Sequence, residues 1–217
     1  MASVSVRRRV DLGKLIMVPV AGLALTLDVR AVVRGAGLAT AAGEVRWVHA
    51  ILMCTFYGLL IWCYLRRGPA VATSGLSLAS VVAVIATFAP FPFPLLHSKP
   101  PGLAVQVIAD ALLVAGTTWA VWALRSLGRN VSIIAQAREV AERGPYRLVR
   151  HPLYVGEMVS LLGLAVAAGT ILAFGAWAAF VAMQVYRAQR EEQVLLAALP
   201  GYQAYRARTA ALLPGAF

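Results

Sequence analysis

Long apolar runs recur along this chain, and each ends in a short group of Arg, Pro or Gly. Read in order, the runs predict a transmembrane helix over 15–33, a second over 45–65 ended by Arg66-Arg67-Gly68-Pro69, and a third over 76–91. Pro90, Pro92 and Pro94 stop the third, since proline cannot continue a helix. A fourth span covers 103–124. A polar stretch, 125–150, follows. Two apolar arms, 153–168 and 171–186, then flank Gly169-Thr170 and read as a helical hairpin, each arm short for a bilayer crossing of about 20 residues. Residues 187–217 read as a polar, amphipathic tail. The expected fold is all-α, a polytopic membrane helical bundle with a C-terminal hairpin. It divides into 1–124, about four spans, and 125–217, the region that carries the chemistry.

Composition supports the membrane reading. Of 217 residues, 60% are hydrophobic and 13% charged, with mean hydropathy +0.75. A soluble domain carries about 25% charged residues. The net charge of +11 does not point to nucleic acid, because the basic residues cluster at the ends of apolar runs instead of forming a face with interleaved aromatics. With the N-terminus inside, sixteen of the 20 Lys and Arg fall on inner segments and only Arg30, Arg34, Arg46 and Lys99 fall outside. That asymmetry predicts an integral membrane protein with both termini in the cytoplasm. The Ala- and Arg-rich composition suits a bacterial inner membrane. The apolar run after Lys14 also fits a signal peptide with Ala39-Thr40-Ala41 as its cleavage site, but Asp28, Arg30 and Arg34 separate the two, which favours a first span.

Two polar blocks flank the hairpin. The first runs from Gly144 to Glu157 and holds Tyr146, Arg147, Arg150, His151 and Tyr154. The second is Arg187-Ala188-Gln189-Arg190-Glu191-Glu192. Ionisable groups at a membrane face are costly unless they do something, so both blocks are candidate ligand clamps. The charge count puts them on one side of the membrane, where they can meet. Arg187 and Glu191, four apart, are expected to pair on one helix face. His151 precedes Pro152, which marks a helix start whose free N–H groups can take an anion. Cys54 and Cys63 share one apolar run and read as packing residues. His49, His97 and His151 lie on distant segments without ligand spacing, so no metal site is expected. No Gly-rich phosphate loop is present.

These residues resemble a known signature. Gly144-Pro145-Tyr146-Arg147-x-x-Arg150-His151-Pro152-x-Tyr154-x-Gly156 looks like that of the isoprenylcysteine carboxyl methyltransferase family, which is similar to bacterial phospholipid N-methyltransferases. Arg187-x-x-x-Glu191-Glu192, then Pro200-Gly201-Tyr202-x-x-Tyr205-x-x-Arg208, resembles that family's C-terminal tail. The resemblance covers about 124–214. It implies a membrane-embedded methyltransferase that uses S-adenosylmethionine, with a lipophilic small-molecule or lipidated acceptor entering from the bilayer. Carried over by motif, Gln136, Arg138, Val140, Ala141, Tyr146, Arg150, His151, Pro152, Leu153 and Tyr154 would line the cofactor pocket. Glu191 and Glu192 would hold its polar end, and Arg187, with Arg190 as its rival, would face the acceptor. The family often has His where Arg138 stands. The acceptor stays open among a carboxylate, an amine and a thiol. Two alternatives remain: a steroid-reductase-like enzyme using NADPH, kept open by Gly156-Glu157, and a small transporter, for which Asp110 and Asp28 would be the mid-span acids.

Overall fold

The computed structural model describes residues 12–33, 41–66, 72–73, 78–89, 96, 101–128, 136–137 and 140–213. The expected helices form. They are α1 (Leu12–Val33), α2 (Ala41–Arg66), α3 (Leu78–Phe88), α4 (Leu103–Leu127), α5 (Pro152–Ala168), α6 (Ile171–Ala198) and the short α7 (Tyr202–Arg208). Two-residue strands, β1 (Ala72–Thr73) and β2 (Gln136–Ala137), pair antiparallel, and a 3₁₀ turn covers Gly144–Arg147. The all-α architecture is therefore present. Three helical stretches are long and apolar enough to cross a membrane: Trp47–Arg66, Leu103–Leu127 and Ile171–Ala198.

Two elements depart from the sequence expectation. α3 is 11 residues long, or about 16 Å at 1.5 Å per residue, and so falls short of a bilayer's hydrocarbon core. α6, by contrast, continues past Tyr186 to Ala198, so the second polar block lies on a helix and not in a tail. The residues after Tyr186 are mostly good helix formers, and no Gly or Pro stands between Tyr186 and Pro200.

α1 and α2 lie side by side, and Lys14 Nζ donates to Leu65 O at 3.1 Å, which ties the start of one to the end of the other. Met17, Ala21, Leu60, Cys63, Tyr64 and Leu124 form a buried cluster that joins α1, α2 and α4. The largest helix–helix interface is between α4 and α5. It depends on Gly156: a Cβ there would stand 2.7 Å from Ala120 N and 2.8 Å from Gly116 O. Small residues let the backbones approach, which is how helices associate where hydrophobic driving force is weak. Thr117 Oγ1 and Ser160 Oγ, 3.1 Å apart, add an interhelical hydrogen bond. Gly169 ends α5 in the left-handed region (φ 63°), and the Thr170 hydroxyl accepts from Ala173 N to start α6. Phe180, Leu161, Ala165 and Ala86 bury a second cluster where α3 meets the hairpin. Leu15, Leu23, Val107, Ile108 and Ile171 are exposed on the outer faces, as helices facing lipid require. Asp110, the mid-span acid, accepts from Gln106 Nε2 at 2.8 Å on its own helix.

Candidate functional site

His151 is the N-cap of α5, with Pro152 at its first position. The preceding 3₁₀ turn, opened by Gly144 at φ 57°, folds the first polar block back on itself. The C-terminal segment then straps across it. Val149 and Ala210 form a parallel bridge, Arg150 N donates to Ala210 O at 2.8 Å, and His151 N donates to Ala211 O at 3.1 Å. Tyr205 Oη donates to Tyr146 O at 2.6 Å. The Arg150 guanidinium completes the strap. Its Nε donates to Glu192 Oε1 at 2.7 Å, and its Nη1 donates to Arg206 O at 3.1 Å and to Thr209 O. Glu192 also accepts from His151 Nε2 at 3.1 Å and faces Arg206 Nε at 3.4 Å. Arg150 and Glu192 thus spend their charges on each other and on the strap.

The polar groups next to this lock face a cavity of about 280 Å³. Tyr154 stacks on His151, ring centroids 5.5 Å apart and planes within 4° of parallel, and its hydroxyl donates to Glu191 Oε2 at 2.8 Å. His151 Nδ1 lies 3.8 Å from the same oxygen. Arg187 stands over the Tyr154 ring at 4.7 Å, and its Nη1 donates to Gln184 Oε1 at 2.8 Å. Gln184 Nε2 in turn donates to Glu157 Oε2. The expected Arg187–Glu191 pair is therefore replaced: Glu191 takes Tyr154, and Arg187 takes Gln184. The phenols of Tyr146, Tyr202 and Tyr205 are pushed up by burial, and nearby carboxylates reinforce the effect. All three remain hydroxyl donors at neutral pH. Arg187 Nε and Tyr202 Oη, whose residues line the cavity, are buried donors without a hydrogen-bond partner among the described residues.

Beyond Glu157 and Arg187 the walls become mostly apolar, with the polar side chains of His49, Thr87, Thr117 and Ser160 among them. Met17 of α1, Met53, Phe56 and Leu60 of α2, Ala86 of α3, Leu161 and Leu164 of α5 and Phe180 of α6 line this part. The periodicity of the hairpin explains the gradient. On α6, Phe180, Gln184, Arg187, Glu191 and Leu195 fall three or four apart and share a face; on α5, Tyr154, Glu157, Leu161 and Leu164 do the same.

Of the sequence-chosen residues, Val140, Ala141, Tyr146, Arg150, His151, Leu153, Tyr154, Arg187 and Glu191 line one cavity. Pro152 is buried beside it, its carbonyl accepting from Trp119 Nε1 at 2.8 Å. Glu192 turns toward the strap. Arg190 is exposed, and its guanidinium lies over Tyr186 and donates to Gln193. Only the backbone of Gln136 is described, paired with Thr73, and Arg138 and His97 lie outside the described residues. Among the described residues no three His, Cys, Asp or Glu side chains gather as a metal site. The sequence expectation assigned no individual cofactor or acceptor contact to Glu157, Gln184, Tyr202 or Tyr205, although Glu157 closes the first polar block and both tyrosines belong to the tail motif. Gln184 carried a usable signal, an amide inside an otherwise apolar arm.

A stretch of 113 residues, 52% of this chain, is 30% identical to the cobalt-zinc-cadmium resistance protein CzcN of Cupriavidus metallidurans and covers 49% of that protein. The chain thus spans about half the length of this curated relative. Residues 105–200, which hold both polar blocks and the hairpin between them, match the phospholipid methyltransferase family, in agreement with the resemblance carried by those blocks.

Proposed function

We propose that this protein is a membrane-embedded methyltransferase that uses S-adenosylmethionine and acts on a lipophilic acceptor drawn from the bilayer. One observation carries the reading: a single cavity is polar where the two motif blocks meet and apolar where it runs between the helices. A reaction between a charged soluble cofactor and a lipid needs both environments in contact, and that shape supplies them.

The residues fit the cofactor. Arg150 is balanced by Glu192, which leaves Arg187 as one cation against the carboxylates of Glu157 and Glu191. The surplus negative charge suits a ligand whose sulfonium and ammonium outweigh its carboxylate by one. When bound, S-adenosylmethionine supplies an electrophilic methyl group. Glu191 and Tyr154 would hold its polar end, His151 would wall its side, and the unpartnered Tyr202 hydroxyl would take an acceptor atom of it. Val140, Ala141, Tyr146 and Leu153 would close the remaining walls. Arg187, deeper on α6, would stand at the boundary with the acceptor. Methyl transfer depends on in-line placement and on excluding water, and the strap over the first polar block serves both. On this reading residues 1–124 contribute the walls of the apolar half, residues 125–217 build the polar half, and the charge asymmetry sets the polar half and both termini on the cytoplasmic side of an inner membrane.

Calorimetric titration with S-adenosylhomocysteine, with NADPH as the contrast, tests the cofactor. Saturable binding of the first and none of the second is expected. NADPH binding alone would move the protein to the reductase reading. Incubation with methyl-labelled cofactor and a total lipid extract, followed by mass spectrometry of the labelled product, identifies the acceptor.

A further inference from the structure

Glu157 closes the first polar block, and it occupies the junction between the polar and apolar halves of the cavity. It lies one turn deeper than Tyr154 on α5, about 4.5 Å along the helix axis. Its Oε2 is held by Gln184 Nε2. Gln184 is wholly buried, and its carbonyl oxygen is fixed by Arg187 Nη1. The amide therefore acts as a rigid bracket that sets the carboxylate's orientation. Glu157 Oε1 has no hydrogen-bond partner among the described residues, and the side chain lines the cavity. Leu161, Leu164 and Phe180 begin immediately beyond it. An acceptor with its chain against those residues brings its head group to this carboxylate.

We infer that Glu157 is a catalytic residue, the proton acceptor for a protic nucleophile, so that the acceptor arrives as an uncharged amine or thiol and not as a carboxylate. The inference rests on the methyltransferase reading. With the cofactor's single net positive charge in place, the cavity is neutral. A carboxylate acceptor would add an unbalanced negative charge beside Glu157 in a poorly solvated site, which is costly. An uncharged acceptor keeps the site even throughout. The acceptor's lone pair forms the bond to the methyl carbon, and the carbon–sulfur bond of the sulfonium donor breaks with its pair going to sulfur. The N–H or S–H proton passes to Glu157 Oε1. One positive and one negative charge disappear together.

The test uses the full-length protein in nanodiscs, methyl-labelled S-adenosylmethionine and three probes of equal chain length: dodecylamine, dodecanethiol and dodecanoate. Label is expected on the amine or the thiol. Glu157→Gln should reduce that transfer at least about 100-fold, the usual scale for removing a general base, and Glu157→Asp should retain more of it than the Gln variant. Calorimetric affinity for S-adenosylhomocysteine, a thioether without the sulfonium charge that Glu157 would offset, should stay within about threefold for both variants. Preferential labelling of dodecanoate overturns the inference, as does undiminished transfer by Glu157→Gln. Absence of label on all three probes while S-adenosylhomocysteine binds also overturns it. Loss of S-adenosylhomocysteine binding by both variants marks Glu157 as a structural residue and overturns it as well. Failure of the unsubstituted protein to bind S-adenosylhomocysteine is a different result, since it removes the methyltransferase reading itself.

Discussion

The two halves of the cavity are built by different physics. The polar half is held by directional bonds: Arg150 to Glu192 at 2.7 Å, Tyr205 to the Tyr146 carbonyl at 2.6 Å, Tyr154 to Glu191 at 2.8 Å. These donors meet particular acceptors and have few substitutes. The apolar half is held by dispersion contacts among Met, Leu, Phe and Ala, which carry no direction and tolerate exchange when volume is kept. The difference teaches where identity matters and where only shape does. A substitution in the polar half leaves a buried group without its partner, whereas one in the apolar half changes space.

Arg150→Ala should have the largest effect. It leaves Glu192 buried without its main counter-charge and frees the Thr209 carbonyl, a loss of about 3–5 kcal/mol. Thermal unfolding in detergent measures it. A loss below about 1 kcal/mol, the scale of an exposed ion pair, would mean that the backbone bridge at Val149 and Ala210 holds the strap alone, and the contrast between the halves would weaken. Next, Glu191→Ala and His151→Ala should each lower S-adenosylhomocysteine affinity about 100-fold, equivalent to about 2.8 kcal/mol, while the helix content seen by circular dichroism stays unchanged. Binding like that of the unsubstituted protein by both variants would remove the cofactor assignment. Gly156→Val should then cost about 1–3 kcal/mol of stability by overpacking, because the α4 backbone stands where the side chain would go. Little change would show that α4 and α5 can separate. The smallest effect belongs to the apolar half. Thr87 lines it, but its hydroxyl is spent on the Ala83 carbonyl at 2.8 Å. Thr87→Val should leave S-adenosylhomocysteine affinity within about twofold. A loss as large as that of Glu191→Ala would erase the distinction between the halves.

Much of the site was legible in the chain because its signals are local. A Gly-Pro turn, a His before a Pro, and charges bracketing an apolar hairpin mark the block Gly144–Glu157 and its partner Arg187–Glu192. Arg150 shows the limit of such reading. Its place in the motif says that it matters, but its guanidinium turns to the strap residues Arg206 and Thr209, more than fifty residues along the chain. Arg187 and Glu191 show a second limit. Their spacing allows a pair on one helix, yet Tyr154 and Gln184 take them instead. Glu157 closes the first block, but nothing local marks its partner Gln184, which is on the next helix.

Periodicity was enough to predict the apolar helices and the hairpin, because burying apolar surface and satisfying the backbone within each helix are local requirements. Only the tertiary structure decided how the polar groups share partners. Among several carboxylates and arginines of similar strength, the choice depends on distances of about 3 Å between helices, and spacing along one chain does not contain them.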